Sequence, residues 1–327
     1  MNRKKHIDAA KLIGMLCIFL AHVSPPSVVV QIRNFDVPLM VIISGILAAG
    51  AYERSMEKDM NRFTYFSKRF MRLVLPVWIF LIPFVTIRVV FSNDLSAYDI
   101  LNSFLLGRDG VGYVWVIMVY LICAMLVPLL HKINIFSFKH IFIVVVVYVL
   151  YETVCAFNLT TTVSAIDDIL SYVVPYGVLT LFGMNYEKLS RKTKILIGVC
   201  AFAIFALMAC GLYIQRGTFV YTQEWKYPAR IYYLSYAVSV SIFVLEVLCY
   251  APKKLVDNWF VMFVSGHSLW IYLWHILMLW LIPHFSWSIH FTLVFVSSCI
   301  MVFLQDRVVM FLEKKSFPKF ILRGLKG

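Results

Sequence analysis

Charge is scarce in this chain. Only 14% of its 327 residues are Asp, Glu, Lys or Arg, and 61% are hydrophobic. A soluble domain has nowhere to hide so much apolar surface. The cytosol and the nucleus are therefore excluded, and an all-α, polytopic integral membrane protein remains. Acidic residues are scarcer still: 17 Asp and Glu stand against 30 Lys and Arg, a formal net charge of +13. In a soluble protein that excess would suggest nucleic acid. Here it first reflects the placing of Lys and Arg on the cytoplasmic side of a membrane. Membrane lipids are expected as partners and nucleic acid is not, while some of the cations can still serve an anionic ligand.

Paired cysteines are missing too. The seven cysteines (Cys17, Cys123, Cys155, Cys200, Cys210, Cys249, Cys299) form no CxxC pair and all lie in apolar runs. They read as small core residues, not as disulfides or metal ligands. Internal repeats and low-complexity linkers are also lacking. A single integral domain over 1–327, with a basic cytoplasmic tail over 313–327, is the simplest account.

What the chain has in quantity is apolar runs of spanning length. They lie near 8–24, 36–51, 70–92, 112–131, 140–157, 168–186, 193–213, 230–250, 258–283 and 289–312. Each needs about 20 residues to cross roughly 30 Å of hydrocarbon, which gives ten expected transmembrane helices. The basic start "NRKK" is like that of a signal peptide, but no A-x-A-like site follows and Asp8 interrupts. The first run is therefore read as a retained anchor. With the N-terminus inside, "ERSMEKDMNRFTYFSKRFMR", "HKINIFSFKH", "EKLSRKTK" and the tail fall on the cytoplasmic side. "SNDLSAYD", "RDG", "AIDD" and "QRGTFVYTQEWKYPAR" fall outside. The basic residues concentrate inside, so the expected topology is N-in, C-in.

Ionisable groups within or beside such spans are the candidates for function, because each is costly there. Lys11 and His22 bracket ten apolar or glycine residues in "KLIGMLCIFLAH". Eleven steps separate them by roughly 16 Å along a helix, about three turns, so both project from one face. The plainer reading is a snorkelling lysine and a loop-end histidine. Arg69 and Arg72 form a fork at the start of the third run that suits a phosphate, or serve as ordinary anchors. Arg33 and Asp36, three residues apart, offer a carboxylate to support an imidazole base, or only a surface ion pair. Ser44 and Gly45 allow close helix contact. Lys226, Tyr227 and Arg230, with Tyr232, Tyr233 and Tyr236 beyond them, suit either an aromatic belt or a sugar platform, and Trp115 can join either. His267 and His275, eight apart, are read on one face of the ninth run. No third ligand stands at metal spacing, so no metal is expected.

Together these stretches resemble a known family. "HIDAAKLIGMLCIFLAHV", "FDVPLMVIISGILA" and "KRFMRLVLPVW" look like the start of the acyltransferase 3 family of membrane O-acyltransferases. That family has a basic residue, ten residues and then histidine in its first span, matched by Lys11 and His22, and an R-x-x-R pair matched by Arg69 and Arg72. "YVWVIMVYLICAMLVPLL", "PYGVLTLFGMNY", "KYPARIYYLSY" and "SLWIYLWH" resemble later stretches of the family, so the likeness runs from about residue 6 to about 280. It implies transfer of an acyl group, usually acetyl, from cytoplasmic acyl-CoA. The acceptor implied is a sugar hydroxyl of an envelope, capsular or exopolysaccharide or its lipid-linked precursor, at a bacterial cell membrane. Lys11 stands where arginine is also found, and Asp36 where many members have histidine. No hydrolase-like domain follows the tenth run, so transfer is expected within the membrane domain or through a separate partner.

On this resemblance Arg69, Arg72 and Lys11 would hold the CoA phosphates. His22 would act as general base or be acylated itself, with Asp8 or Asp36 orienting a partner. Arg33, Trp115, Lys226, Tyr227, Arg230 and His275 would meet the sugar, and no oxyanion donor is identifiable. Two other classes stay open: a flippase or exporter of a glycan or small anion, and a polysaccharide polymerase. Paired broken helices would mark the first, and larger outer loops the second.

Overall fold

The computed structural model describes residues 4–58, 61–92, 94–157, 164–315 and 317–326, without the side chains at 62 and 164–169. The side chains of "AIDD", residues 1–3 of the basic start, and residues 316 and 327 of the tail thus lie outside the described residues. Among the described residues all regular structure is helical. The order is α1 (Lys5–Ala21), α2 (Ser27–Arg33), α3 (Asp36–Met56), α4 (Arg62–Phe91), α5 (Ala97–Phe104), α6 (Trp115–Leu130), α7 (Phe138–Ala156) and α8 (Ser164–Asn185). It continues with α9 (Arg191–Arg216), α10 (Ile231–Cys249), α11 (Lys253–Val256), α12 (Trp259–Gly266), α13 (Ser268–Leu281), α14 (Trp287–Lys314) and α15 (Lys319–Lys326).

Each apolar run read from the sequence falls on helix. Among the described residues six stretches are long and apolar enough to cross a membrane: 27–56, 63–91, 138–156, 191–216, 231–249 and 287–314. The pair α11–α12 and α13 makes a seventh if it is one span, and α6 is a shorter apolar helix. The expected straight helix over 258–283 is corrected here, because the chain bends by 63° between Gly266 and Ser268. Gly266 is a poor helix former. His267 leaves the helical region at φ −111°, ψ 18°, its N–H closing α12 on Phe263 and its Nδ1 meeting the same carbonyl at 2.9 Å. His267 and His275 consequently do not share one helix face.

Helix α1 lies at the centre, packed on α3, α10, α12, α13 and α14. Apart from Asp8, its inward residues are small or apolar, among them Ala10, Gly14, Met15, Ile18 and Phe19. Helices α3 and α8 cross at two glycines. A Cβ at Gly45 would sit 2.6 Å from the Thr180 carbonyl oxygen, and one at Gly183 only 2.2 Å from that of Ile42. Backbones approach this closely in membrane bundles through such small residues. Helix α9 is the opposite case. None of its residues is buried, and Leu196, Val199, Phe202, Leu207 and Ile214 face outward. An apolar face of that extent needs an apolar surrounding.

The basic tail is not a loose strand. Helix α15 docks between α4 and α14, with Trp270 Nε1 donating to the Gly324 carbonyl at 3.1 Å and Gln305 Nε2 to that of Leu325 at 2.7 Å. A Cβ at Gly324 would meet Ile79 at 2.4 Å, so the helix seats there by having no side chain.

Candidate active site

Two cavities meet inside the bundle. The larger, of about 420 Å³, is lined by the cations Lys11, Arg54, Arg69, Arg72 and Lys326, with His267, Ser265 and Tyr120. The smaller, of about 150 Å³, is lined by His22, Arg33, Asp36, Trp115, Gln223, Lys226 and Tyr227. Ile18, Val116 and Tyr272 line both, and so form the partition between them.

The cationic cavity draws its five cations from four elements. Lys11 comes from α1, Arg54 from the last turn of α3, Arg69 and Arg72 from the first turns of α4, and Lys326 from α15. Arg69 lies over the Tyr65 ring at 5.2 Å. Lys326 donates to Glu313 at 2.6 Å, and His267 Nε2 faces Asp306 at 3.1 Å. Five cationic side chains around one opening suit a polyanion, because guanidinium forks bind phosphate oxygens in pairs. Arg54 and Lys326 were not singled out in the sequence. Arg54 sits in a stretch dense with ordinary charges, and Lys326 counts only because α15 folds back.

In the smaller cavity the centre is a pair of imidazoles. His22, at the end of α1, and His275, wholly buried in α13, lie 3.0 Å apart from Nδ1 to Nε2. The Nδ1 of His275 hydrogen-bonds the Tyr272 carbonyl, which can only accept. That nitrogen must therefore carry the proton, and in a neutral ring Nε2 becomes the acceptor. His22 Nδ1 then donates to it, which leaves His22 Nε2 as an unprotonated acceptor. The chain carbonyl, His275, His22 thus fixes one tautomer of His22, as a general base requires. Tyr113 packs edge-on against His22 and Phe19 against His275, each at 4.7 Å between ring centres, which holds both rings in place.

Beside this pair lies a buried polar network. Arg33 Nη1 donates to Asp36 Oδ2 at 2.7 Å, and Lys226 Nζ to Asp36 Oδ1 at 3.1 Å and Asn34 Oδ1 at 3.2 Å. Asn34 Nδ2 reaches Thr222 at 2.9 Å, and Gln31 accepts from the Thr222 N–H at 2.9 Å. These bonds tie the α2–α3 junction to the connection before α10. Arg33, Asp36 and Lys226 are 5%, 2% and 3% exposed, so their pairing is an interior feature and not a surface ion pair. Burial pulls the Lys226 ammonium below its ordinary value, and the neighbouring Asp36 carboxylate opposes that pull.

Both carboxylates considered as support for His22 are engaged elsewhere. Asp36 spends its two oxygens on Arg33 and Lys226. Asp8 accepts from Ser265 of α12, fourteen residues or roughly 21 Å along α1 from His22. Arg230 does not line the small cavity: it pairs with Glu152 at 3.2 Å and covers Trp225, pinning α10 to α7. Trp115 and Tyr227 do line it, edge to face at 5.4 Å. Arg108 stacks over Tyr227 at 4.7 Å and Tyr172 at 5.4 Å, a cation that sequence spacing gave no reason to place there. His275, expected to meet sugar, instead touches His22.

A family model described as "Acyltransferase domain", that of the acyltransferase 3 family, matches residues 4–304. No curated protein and no solved structure matches the chain.

Proposed function

This chain belongs to the acyltransferase 3 family of membrane acyltransferases, and on that premise we propose that it transfers an acetyl group from cytoplasmic acetyl-CoA to a sugar hydroxyl of an envelope polysaccharide or its lipid-linked precursor. The observation that carries this reading is the pair of cavities on one helix: five cations on one side, His22 on the other, and a partition of Ile18, Val116 and Tyr272 between. We place the cationic cavity on the cytoplasmic side of the cell membrane. The chain then crosses ten times, N-in and C-in, with α1, α6 and α8 supplying crossings beside the long apolar helices.

In this scheme the donor's phosphates rest on Arg69, Arg72, Arg54, Lys11 and Lys326. Its thin pantetheine arm runs along α1 toward the partition, over the roughly 16 Å that separate Lys11 from His22. The acceptor hydroxyl enters the small cavity from the opposite face. His22 Nε2 takes the hydroxyl proton as the oxygen attacks the thioester carbonyl carbon. The carbon–sulfur bond then breaks, the ester forms, and His22 returns the proton to the departing thiolate. His275 is a positioning residue that keeps His22 in the tautomer able to do this.

The test is direct. Purified protein is incubated with radiolabelled acetyl-CoA and envelope glycan, wild type against His22→Ala. Label is expected in the glycan with wild type only, and equal labelling would remove His22 from the chemistry.

A further inference from the structure

The described residues of the small cavity carry more positive charge than they balance. Among the described side chains lining it, Asp36 is the one carboxylate, and both of its oxygens are occupied, one by Arg33 and one by Lys226. Two cations on one carboxylate leave one positive charge in excess, and all three groups are at least nine-tenths buried. Donors are also idle there. Among the described residues Arg33 Nε is buried without a hydrogen-bond partner, as is Gln31 Nε2 outside the cavity's lining, and Lys226, with three donors, spends two on Asp36 and Asn34. Buried polar groups are ordinarily satisfied, and buried charge is ordinarily paired, so an arrangement short of both is poised for an anion. The chemistry adds to the imbalance, since His22 gains a proton during transfer beside a cluster already positive.

We infer that the acceptor carries a negative group next to the hydroxyl it presents: the carboxylate of an acidic sugar, or the phosphate of a lipid-linked one. This rests on the acyl-transfer reading above. The anion would sit against Arg33 and Lys226, completing the pairing of the cluster and offsetting the charge on His22. The cavity's 150 Å³ falls short of the roughly 300 Å³ at which small-molecule pockets begin, so it takes the edge of one ring and its charged substituent. Trp115 and Tyr227 supply the apolar wall that such a ring stacks on.

The experiment compares matched acceptors with purified protein and radiolabelled acetyl-CoA. One pair is a uronic-acid glycan and the same glycan after chemical reduction of its carboxyls. The other is a neutral sugar on polyprenyl diphosphate and the same sugar released from it. Preferential labelling of the first member of either pair is the expected result, and the pair that shows it identifies the source of the charge. Lys226→Met is expected to lower kcat/KM for the charged acceptor by about tenfold or more, with Lys226→Arg restoring it and acetyl-CoA binding unchanged in both. Equal labelling of charged and neutral members overturns the inference and leaves acyl transfer standing. No labelling of any acceptor, with acetyl-CoA demonstrably bound, overturns acyl transfer to glycans and this inference with it.

Discussion

His22 and His275 meet nitrogen to nitrogen at 3.0 Å, and the second ring is itself held by the Tyr272 carbonyl. In the proposed mechanism His22 needs a defined tautomer, and the definition comes from a neighbouring imidazole and not from a carboxylate. His275→Ala is expected to lower kcat by about tenfold to a hundredfold while leaving the KM for acyl-CoA unchanged. The fall should be similar at every pH, because the share of neutral His22 lost to its other tautomer does not depend on pH. A variant with wild-type kcat would show that the pair is only packing.

Arg69 and Arg72 are neighbours on α4 and share the cationic cavity. Replacing either with Ala is expected to raise the KM for acyl-CoA by about tenfold, the loss of one charge-assisted contact, with little change in kcat. Isothermal titration with CoA alone reads the same effect without turnover. Unchanged CoA affinity would remove the phosphate role.

Lys326 reaches that cavity from α15, which lies beyond residue 304, where the match to the family ends. Lys326→Ala is expected to weaken CoA binding by about threefold to tenfold, less than the α4 arginines, because an exposed lysine is a weaker phosphate ligand. Gly324→Val should act the same way by unseating the helix, since its side chain would collide with Ile79 and Leu75. Acceptor preference should not move in either variant.

The crossing of α3 and α8 offers a stability test away from the chemistry. Gly183→Val sets a side chain against the Ile42 carbonyl, a backbone atom that cannot turn aside. Thermal unfolding in detergent should show a Tm lower by several degrees, about the shift that 1–3 kcal/mol produces in a chain of this kind. Gly211→Ala, which meets nothing within 4 Å, is the control and should unfold with wild type.

Much of the helical order was legible in the sequence, since a run of about 20 apolar residues has few alternatives to helix. Lys11, His22, Arg69 and Arg72 stood out for the same physical reason: charge or titratable nitrogen in an apolar setting is costly. Partners across the fold were not legible. The contact between His22 and His275 spans 253 positions, and that between Lys226 and Asp36 spans 190. Nothing local to either residue marks its mate. The bend at His267 was hidden for another reason: the apolar stretches on either side of "SGHS" are together long enough for one span, and only the cap geometry ends the helix. The Glu152 partner of Arg230 was equally invisible, because a cation beside tyrosines looks alike whether it meets a ligand or a carboxylate of another helix.

The partition of Ile18, Val116 and Tyr272 carries an obligation that has nothing to do with esters. On the proposed topology the cavities open toward opposite faces of a bilayer, and the protein must still hold off the membrane voltage where these three side chains line both. They then contribute to the dielectric seal between the two openings. Trimming Ile18 to Gly should therefore reveal itself first as a proton or ion leak in reconstituted vesicles, even before any acceptor is supplied.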